Sequence, residues 1–194
     1  MNEDSLSRLD VLASQCREHL HVIVREKDLD AKDLHTFTQQ IVDVTAHHGS
    51  QVLVNSRADV AMSMTPRLGL HLPENGLPIE LARRVMGKNT IIGRSVHDQA
   101  GAEEAVKAGA DYILVAPVFE VPGKGPGMGI AGLIETVDNI PIDIPVIALG
   151  GISSKNVSQL KGFVDGIAAI RGIWRNDLAP TLENLLDVSP PVPT

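Results

Sequence analysis

Residues 110–129, ADYILVAPVFEVPGKGPGMG, decide how the chain is read. ADYILVA is a short apolar run rich in β-branched residues, the pattern of a strand buried on both faces. It opens into VFEVPGKGPGMG, a loop with four glycines, two prolines and one lysine. Glycines allow backbone N–H groups to approach an anion closely, and Lys124 adds a point charge among them. Such a loop at the carboxyl end of a buried strand suits a small molecule bearing phosphate, although glycine-rich loops also serve as plain connections.

Outward from this stretch, short apolar runs alternate with helical patterns. SLSRLDVLASQCRE (5–18) carries Leu6, Leu9 and Ala13 on one stripe, widened by Val11 and Leu12. HLHVIVRE (19–26) reads as a strand, and Asp30 caps a helix with Leu34, Phe37, Ile41 and Val44 on one face, ended by Gly49. Further strands are read at 51–55, 68–72, 90–95, 144–150 and 165–170, and helices near 59–64 and at 79–87, 98–109, 130–138, 153–162 and 183–188. Residues 189–194, SPPVPT, read as a mobile tail.

Strands alternating with helices of this length imply right-handed βαβ crossovers and a parallel sheet. Seven buried strands, and no GxGxxG turn after the first, fit a barrel better than an open doubly wound sheet. The fold class expected is therefore α/β, a (β/α)8 TIM-type barrel in a single domain over 1–194. Its first strand is missing, since the chain opens with a helix. An incomplete barrel has a flank to cover, which makes a homodimer the expected assembly.

Composition excludes several functions. The chain of 194 residues carries a net charge of −7, against the basic face that nucleic acid requires. No run approaches a membrane span, and MNEDSLSRLD lacks a signal peptide's apolar region. Cys16 is the single cysteine, which rules out an intrachain disulfide and a thiolate metal cluster. A cytoplasmic protein with no nucleic-acid or membrane partner is expected.

In a parallel barrel the chemistry sits in the loops after the strands. The polar residues there are Arg25, Glu26 and Lys27; Asn55, Ser56 and Arg57; His71; Arg94, Ser95 and His97; the Lys124 loop; Gly150 and Gly151; and Arg171. Cations and glycine turns on one face point to more than one anionic group. Individually each has a plainer explanation: strand-end charges often form surface ion pairs, and His71 sits between two leucines as a core histidine would.

VREKDLDAKDL, NSRADVAM, GLHLPENGLP, GRSVH, GADYILVAPVF, PVIALGGISSKNV and DGIAAIRGIW also occur in the order found in the thiamine phosphate synthase/TenI family, which the chain resembles from about Val24 to Trp174. The resemblance implies a (β/α)8 barrel of thiamine biosynthesis. Its synthases join a hydroxymethylpyrimidine pyrophosphate to a thiazole phosphate, expelling pyrophosphate by way of a pyrimidine carbocation. Its TenI branch includes thiazole tautomerases, which shift a proton without metal. By position, Arg25, Lys27 and Asn55 match residues that hold pyrophosphate. Ser95 matches the serine beside the pyrimidine, and Lys124 the lysine of the loop over pyrophosphate. Gly127, Gly129, Gly150 and Gly151 match the backbone that holds the thiazole phosphate.

The departures carry as much weight. Ser56 stands where synthases have a magnesium aspartate, and Gly76 stands at or beside the second, with Glu74 nearby. No metal is therefore assigned, and Mg2+ enters only with a synthase activity. RSVH and HLP resemble the TenI branch, yet Pro117 occupies the place of the tautomerase histidine, which leaves His71 and His97 as candidate proton carriers. Three readings follow: a TenI-like protein binding thiazole phosphate or thiamine phosphate, a synthase with altered metal ligands, and a non-catalytic phosphate-binding or regulatory barrel. Lys124→Ala should weaken binding of the phosphate ligand with the fold intact; unchanged affinity in calorimetric titration would remove the loop from the site.

Overall fold

The computed structural model describes residues 3–64, 68–123, 125–138, 140–141 and 143–170. Contacts divide the chain into two units, Met1–Ile92 and Gly93–Thr194. In the first, α1 (Glu3–Cys16) precedes three repeats of strand and helix: β1 (His21–Val24), α2 (Ala31–Thr45), β2 (Gln51–Asn55), α3 (Ala58–Ser63), β3 (Leu68–Leu72) and α4 (Ile79–Met86). The second contains β4 (Ile92–Val96), α5 (Gln99–Lys107), β5 (Tyr112–Val115), α6 (Gly129–Val137), β6 (Val146–Leu149) and β7 (Gly166–Ala168).

All pairings within each unit are parallel and sequential. Val22 faces Val52 and Leu53 faces Gly69 in the first unit; Gly93 faces Tyr112, Leu114 faces Ile147 and Ala148 faces Ile167 in the second. Because the strands run parallel, their carboxyl ends lie together on one edge of each unit. The α/β class and the βα repeat of the barrel type are those expected from the sequence, and seven strands are present among the described residues.

Helix starts follow local chemistry. The Asp30 carboxylate accepts the Asp33 N–H at 2.8 Å and the Asp98 carboxylate accepts that of Gly101 at 2.8 Å, satisfying amides that would otherwise lack a partner. Along α2 the buried face is Leu34, Thr38, Ile41, Val42 and Thr45 rather than the expected Phe37 and Val44. The two threonines can be buried because their hydroxyls donate to the Leu34 and Ile41 carbonyls. On α1, Leu9, Leu12 and Ala13 are buried, whereas Val11 is half exposed.

One element departs from its expected form. Residues 153–162 read as a helix, but only Val157–Leu160 forms a single 3-10 turn. The Asn156 carboxamide bonds to the preceding backbone instead of leaving it to a helical ladder, and Gly162 at φ 84 ends the segment. The helix read at 183–188 and the tail at 189–194 lie outside the described residues.

Strand packing requires a glycine at position 93. Tyr112, buried, lies across from it, and a Cβ at Gly93 would come within 2.0 Å of the ring. Burial also pushes the Tyr112 phenol well above its ordinary pKa, so the ring is seated as a neutral group. Gly93→Ala should lower stability by about 1–3 kcal/mol, the usual range for overpacking. A denaturation midpoint equal to that of the unaltered protein would show that the ring moves aside freely.

Candidate anion-binding site

In the first unit the candidate residues follow the ends of β1, β2 and β3. Arg25 and Lys27 are exposed just beyond Val24, which pairs with Val54. Asn55 lies opposite His71 in the strand register. The backbone continues this contact, as the Ser56 N–H donates to the His71 carbonyl at 2.9 Å. His71 is only 4% exposed, while Leu70 and Leu72 on either side are fully buried. The structure therefore brings Asn55 and His71 together and leaves Arg25 and Lys27 facing solvent.

The corner after β2 is uncharged at the position where a synthase would hold magnesium. Ser56 has φ 65, a left-handed backbone that favours Asn or Asp among non-glycine residues. Its hydroxyl accepts from the Asn55 amide at 2.9 Å. The carboxylate in the same turn, Asp59, is engaged by Arg57 through two hydrogen bonds, Nε to Oδ1 at 2.9 Å and Nη2 to Oδ2 at 2.6 Å. Those bonds hold the Asp59 carboxyl below its usual pKa. Among the described residues no group of three or more His, Cys, Asp or Glu is arranged to hold a metal. Magnesium prefers carboxylate oxygens, and this corner supplies an amide and a hydroxyl. The residues present do not fit a site built on a pair of aspartates.

The second unit builds a turn of a different kind. The chain from Ala116 to Glu120 threads between the loop before α6 and the loop after β6. Val118 and Phe119 donate to the Leu149 and Gly150 carbonyls at 2.9 and 3.0 Å. In return the Pro117 and Val118 carbonyls accept from Met128 at 3.0 Å and Gly129 at 2.8 Å. Backbone is packed on backbone here, and only glycine fits. A Cβ at Gly127 would lie 2.4 Å from the Val118 oxygen, at Gly150 2.7 Å from Pro117, and at Gly151 2.5 Å from the Glu120 oxygen. Gly150 and Gly151 also have φ 104 and 64, which L side chains rarely adopt.

These four glycines differ in what they can offer an anion. The Gly129 N–H is already taken by Val118. No partner among the described residues is recorded for the amides of Gly127, Gly150 and Gly151. Ser95 is half-buried on β4, and the imidazole of His97, two residues on, bonds through Nδ1 to the Ala116 carbonyl at the head of the same turn. A neutral ring held this way carries its proton on Nδ1, which leaves Nε2 as the basic atom. Lys124 and Arg171 lie outside the described residues.

Sequence reasoning missed Asn156. Its Oδ1 accepts the Ser153 N–H at 2.8 Å and its Nδ2 donates to the Gly151 carbonyl at 2.9 Å. The available signal was an asparagine five residues beyond the paired glycines, within a segment assigned to a helix. A cavity of about 230 Å³ lined by Val137, Ile144, Val146 and Phe163 adds nothing to the site. It adjoins Val146, the first residue of β6 and so the end away from Gly150, and the carboxylate on its wall, Asp165, accepts the Val146 N–H at 2.8 Å.

The fold defines a class: an α/β protein of parallel strands in βα repeats, with glycine-rich turns after two of its strands. More narrowly, the chain belongs to the thiamine monophosphate synthase family, whose pattern matches residues 4–173. It is 38% identical over 160 residues to the thiamine-phosphate synthase of Clostridium novyi, covering 80% of this chain and 77% of that protein. Identity to the synthase of Caldanaerobacter subterraneus subsp. tengcongensis is 34% over 169 residues, 85% of this chain and 78% of the other. The solved thiamine phosphate pyrophosphorylase from Pyrococcus furiosus is similar in structure, with a TM-score of 0.80 and 28% identity over 96% of this chain and 89% of that one. No helix among the described residues is long and apolar enough to cross a membrane.

Gly151→Ala should both destabilise the protein and weaken phosphate-ester binding. A left-handed alanine alone costs about 1–2 kcal/mol, and the contact with the Glu120 oxygen adds to it. Thermal melting with and without thiazole phosphate reads both effects, and a variant stabilised by the ligand as strongly as the unaltered protein would exclude Gly151 from the site.

Proposed function

We propose that this protein is a thiamine-phosphate synthase-type transferase. It joins a pyrimidine carried as its pyrophosphate to a thiazole phosphate and releases pyrophosphate. The observation that carries this reading is the 38% identity to a thiamine-phosphate synthase across most of both chains. The amides of Gly127, Gly150 and Gly151, without a partner among the described residues, suit the phosphate of the thiazole half.

The reaction breaks the bond between the pyrimidine methylene and the pyrophosphate oxygen. The thiazole nitrogen then forms a new bond to that methylene, and pyrophosphate leaves with both electrons. The protein's tasks are to hold the two phosphorylated halves in line and to stabilise negative charge on the leaving group. In this reading Arg25, Lys27 and Lys124 supply positive charge, Asn55 hydrogen-bonds pyrophosphate, and Ser95 contacts the pyrimidine. No carboxylate stands at Ser56, so side-chain cations bear more of the leaving-group charge here than where a carboxylate-held ion shares it.

A second reading, a TenI-like thiazole tautomerase, is favoured by the bond that fixes His97 beside Pro117. There Nε2 of His97 would move the proton in place of the missing histidine, with His71 as the other candidate. A non-catalytic phosphate-binding protein is the outcome if neither chemistry is found.

The test measures pyrophosphate release from pyrimidine pyrophosphate and thiazole phosphate across a Mg2+ titration, for the unaltered protein and for Ser56→Asp. The left-handed backbone at position 56 accepts aspartate. The expected result is slow release by the unaltered protein, raised about tenfold or more, and made more steeply Mg2+-dependent, by Ser56→Asp. No thiamine phosphate from either form would reject the transferase reading. Proton exchange on thiazole phosphate, lost in His97→Gln, would then favour the tautomerase.

A further inference from the structure

We infer that Asn156 is a positioning residue for the phosphate half of the site, a strut that sets the direction of the last of three consecutive backbone amides. The inference rests on the phosphate reading above and names the side chain on which that loop depends.

The argument starts from the planarity of the peptide unit. In a trans peptide, the carbonyl of one residue and the N–H of the next point in opposite directions. Wherever a carbonyl is anchored, the following amide is aimed away from the anchor. In this loop three successive carbonyls are anchored. Leu149 accepts from the Val118 N–H at 2.9 Å, Gly150 from the Phe119 N–H at 3.0 Å, and Gly151 from Asn156 Nδ2 at 2.9 Å. The amides of Gly150, Gly151 and Ile152 are thereby turned away from these anchors. No partner is recorded for any of the three among the described residues. Consecutive outward amides at left-handed residues are the arrangement that binds oxyanions.

Two of the three anchors are backbone and would survive any side-chain change. The third is Asn156 alone. Its carboxamide reaches back across the loop with both ends engaged, since Oδ1 also takes the Ser153 N–H at 2.8 Å and lies 3.3 Å from the Ser153 hydroxyl. It thus fixes the peptide planes on either side of Ile152, closing the loop at the point where the main-chain anchors end. Neither aspartate nor alanine supplies both bonds: aspartate keeps the acceptor for Ser153 and loses the donor to Gly151. An aspartate there would also set a carboxylate against the Gly151 carbonyl oxygen.

The experiment titrates the full-length protein by calorimetry with thiazole phosphate and, separately, with pyrophosphate, for the unaltered chain, Asn156→Ala and Asn156→Asp. Thermal midpoints of all three are measured alongside. Both variants should bind thiazole phosphate at least tenfold more weakly, with pyrophosphate affinity within about twofold of the unaltered chain. A general loss of structure would weaken both ligands together and overturn the assignment. Aspartate binding as well as asparagine would also overturn it, because the donor to Gly151 would then be dispensable. Unaltered protein that binds thiazole phosphate while Asn156→Ala binds it equally would remove the strut and leave the phosphate reading standing. Unaltered protein that does not bind thiazole phosphate at all would overturn both.

Discussion

The second unit depends on one close approach, that of the Ala116–Glu120 backbone to the backbones of Gly127, Gly150 and Gly151. Contacts of this kind need Cβ-free residues on one side, and distances of 2.4–2.7 Å from a hypothetical Cβ show how little room there is. The result is a main-chain platform in which carbonyls are used up internally. Val118 and Phe119 donate to Leu149 and Gly150, and Pro117 and Val118 accept from Met128 and Gly129. Once the carbonyls are committed, the remaining N–H groups have one direction left to them. A site for an oxyanion can therefore follow from packing without a charged side chain being placed first.

The ends of β2 and β3 in the first unit show the opposite economy. There the polar groups pair with one another: Asn55 with Ser56, Ser56 with the His71 carbonyl, Arg57 with Asp59. A hydroxyl and an amide bonded together present partial charges in place of a formal one. Divalent cations are held by carboxylates because their dehydration must be offset by full negative charge. Substituting serine for aspartate at one left-handed position changes the charge of the corner while leaving its backbone conformation available to either residue.

Much of this was legible in the sequence because the fold repeats. Seven apolar runs with helical spacers specify a parallel α/β arrangement however the boundaries shift, and capping residues such as Asp30 announce themselves locally. The glycines at 127, 150 and 151 were equally visible. What escaped was the side chain that anchors the Gly151 carbonyl. Asn156 lies in SSKNVSQLKG, whose spacing of Val157 and Leu160 is helical, and both are indeed buried. The side chain overrides that pattern by bonding to Gly151 and Ser153, a local side-chain competition that hydrophobic periodicity does not register. The burial of Thr38 and Thr45 in place of Phe37 and Val44 has the same origin. A hydroxyl that returns its bond to the preceding turn behaves as an apolar group, and a hydropathy stripe cannot count it.

The glycines also separate two arguments that are easily merged. Their presence is fully accounted for by the Ala116–Glu120 turn, since each of Gly127, Gly150 and Gly151 would collide with it if it carried a side chain. Their occurrence alone is thus no evidence for phosphate. The evidence lies in which amides remain after packing has taken its share. Gly129 looks like its neighbours in the sequence and keeps no N–H for a ligand, because Val118 has it. Ile152, which no glycine count would select, does keep one among the described residues. A glycine-rich motif is therefore best judged by its carbonyls: where they are anchored, the direction of every following amide is set, and the ligand chemistry follows from that direction.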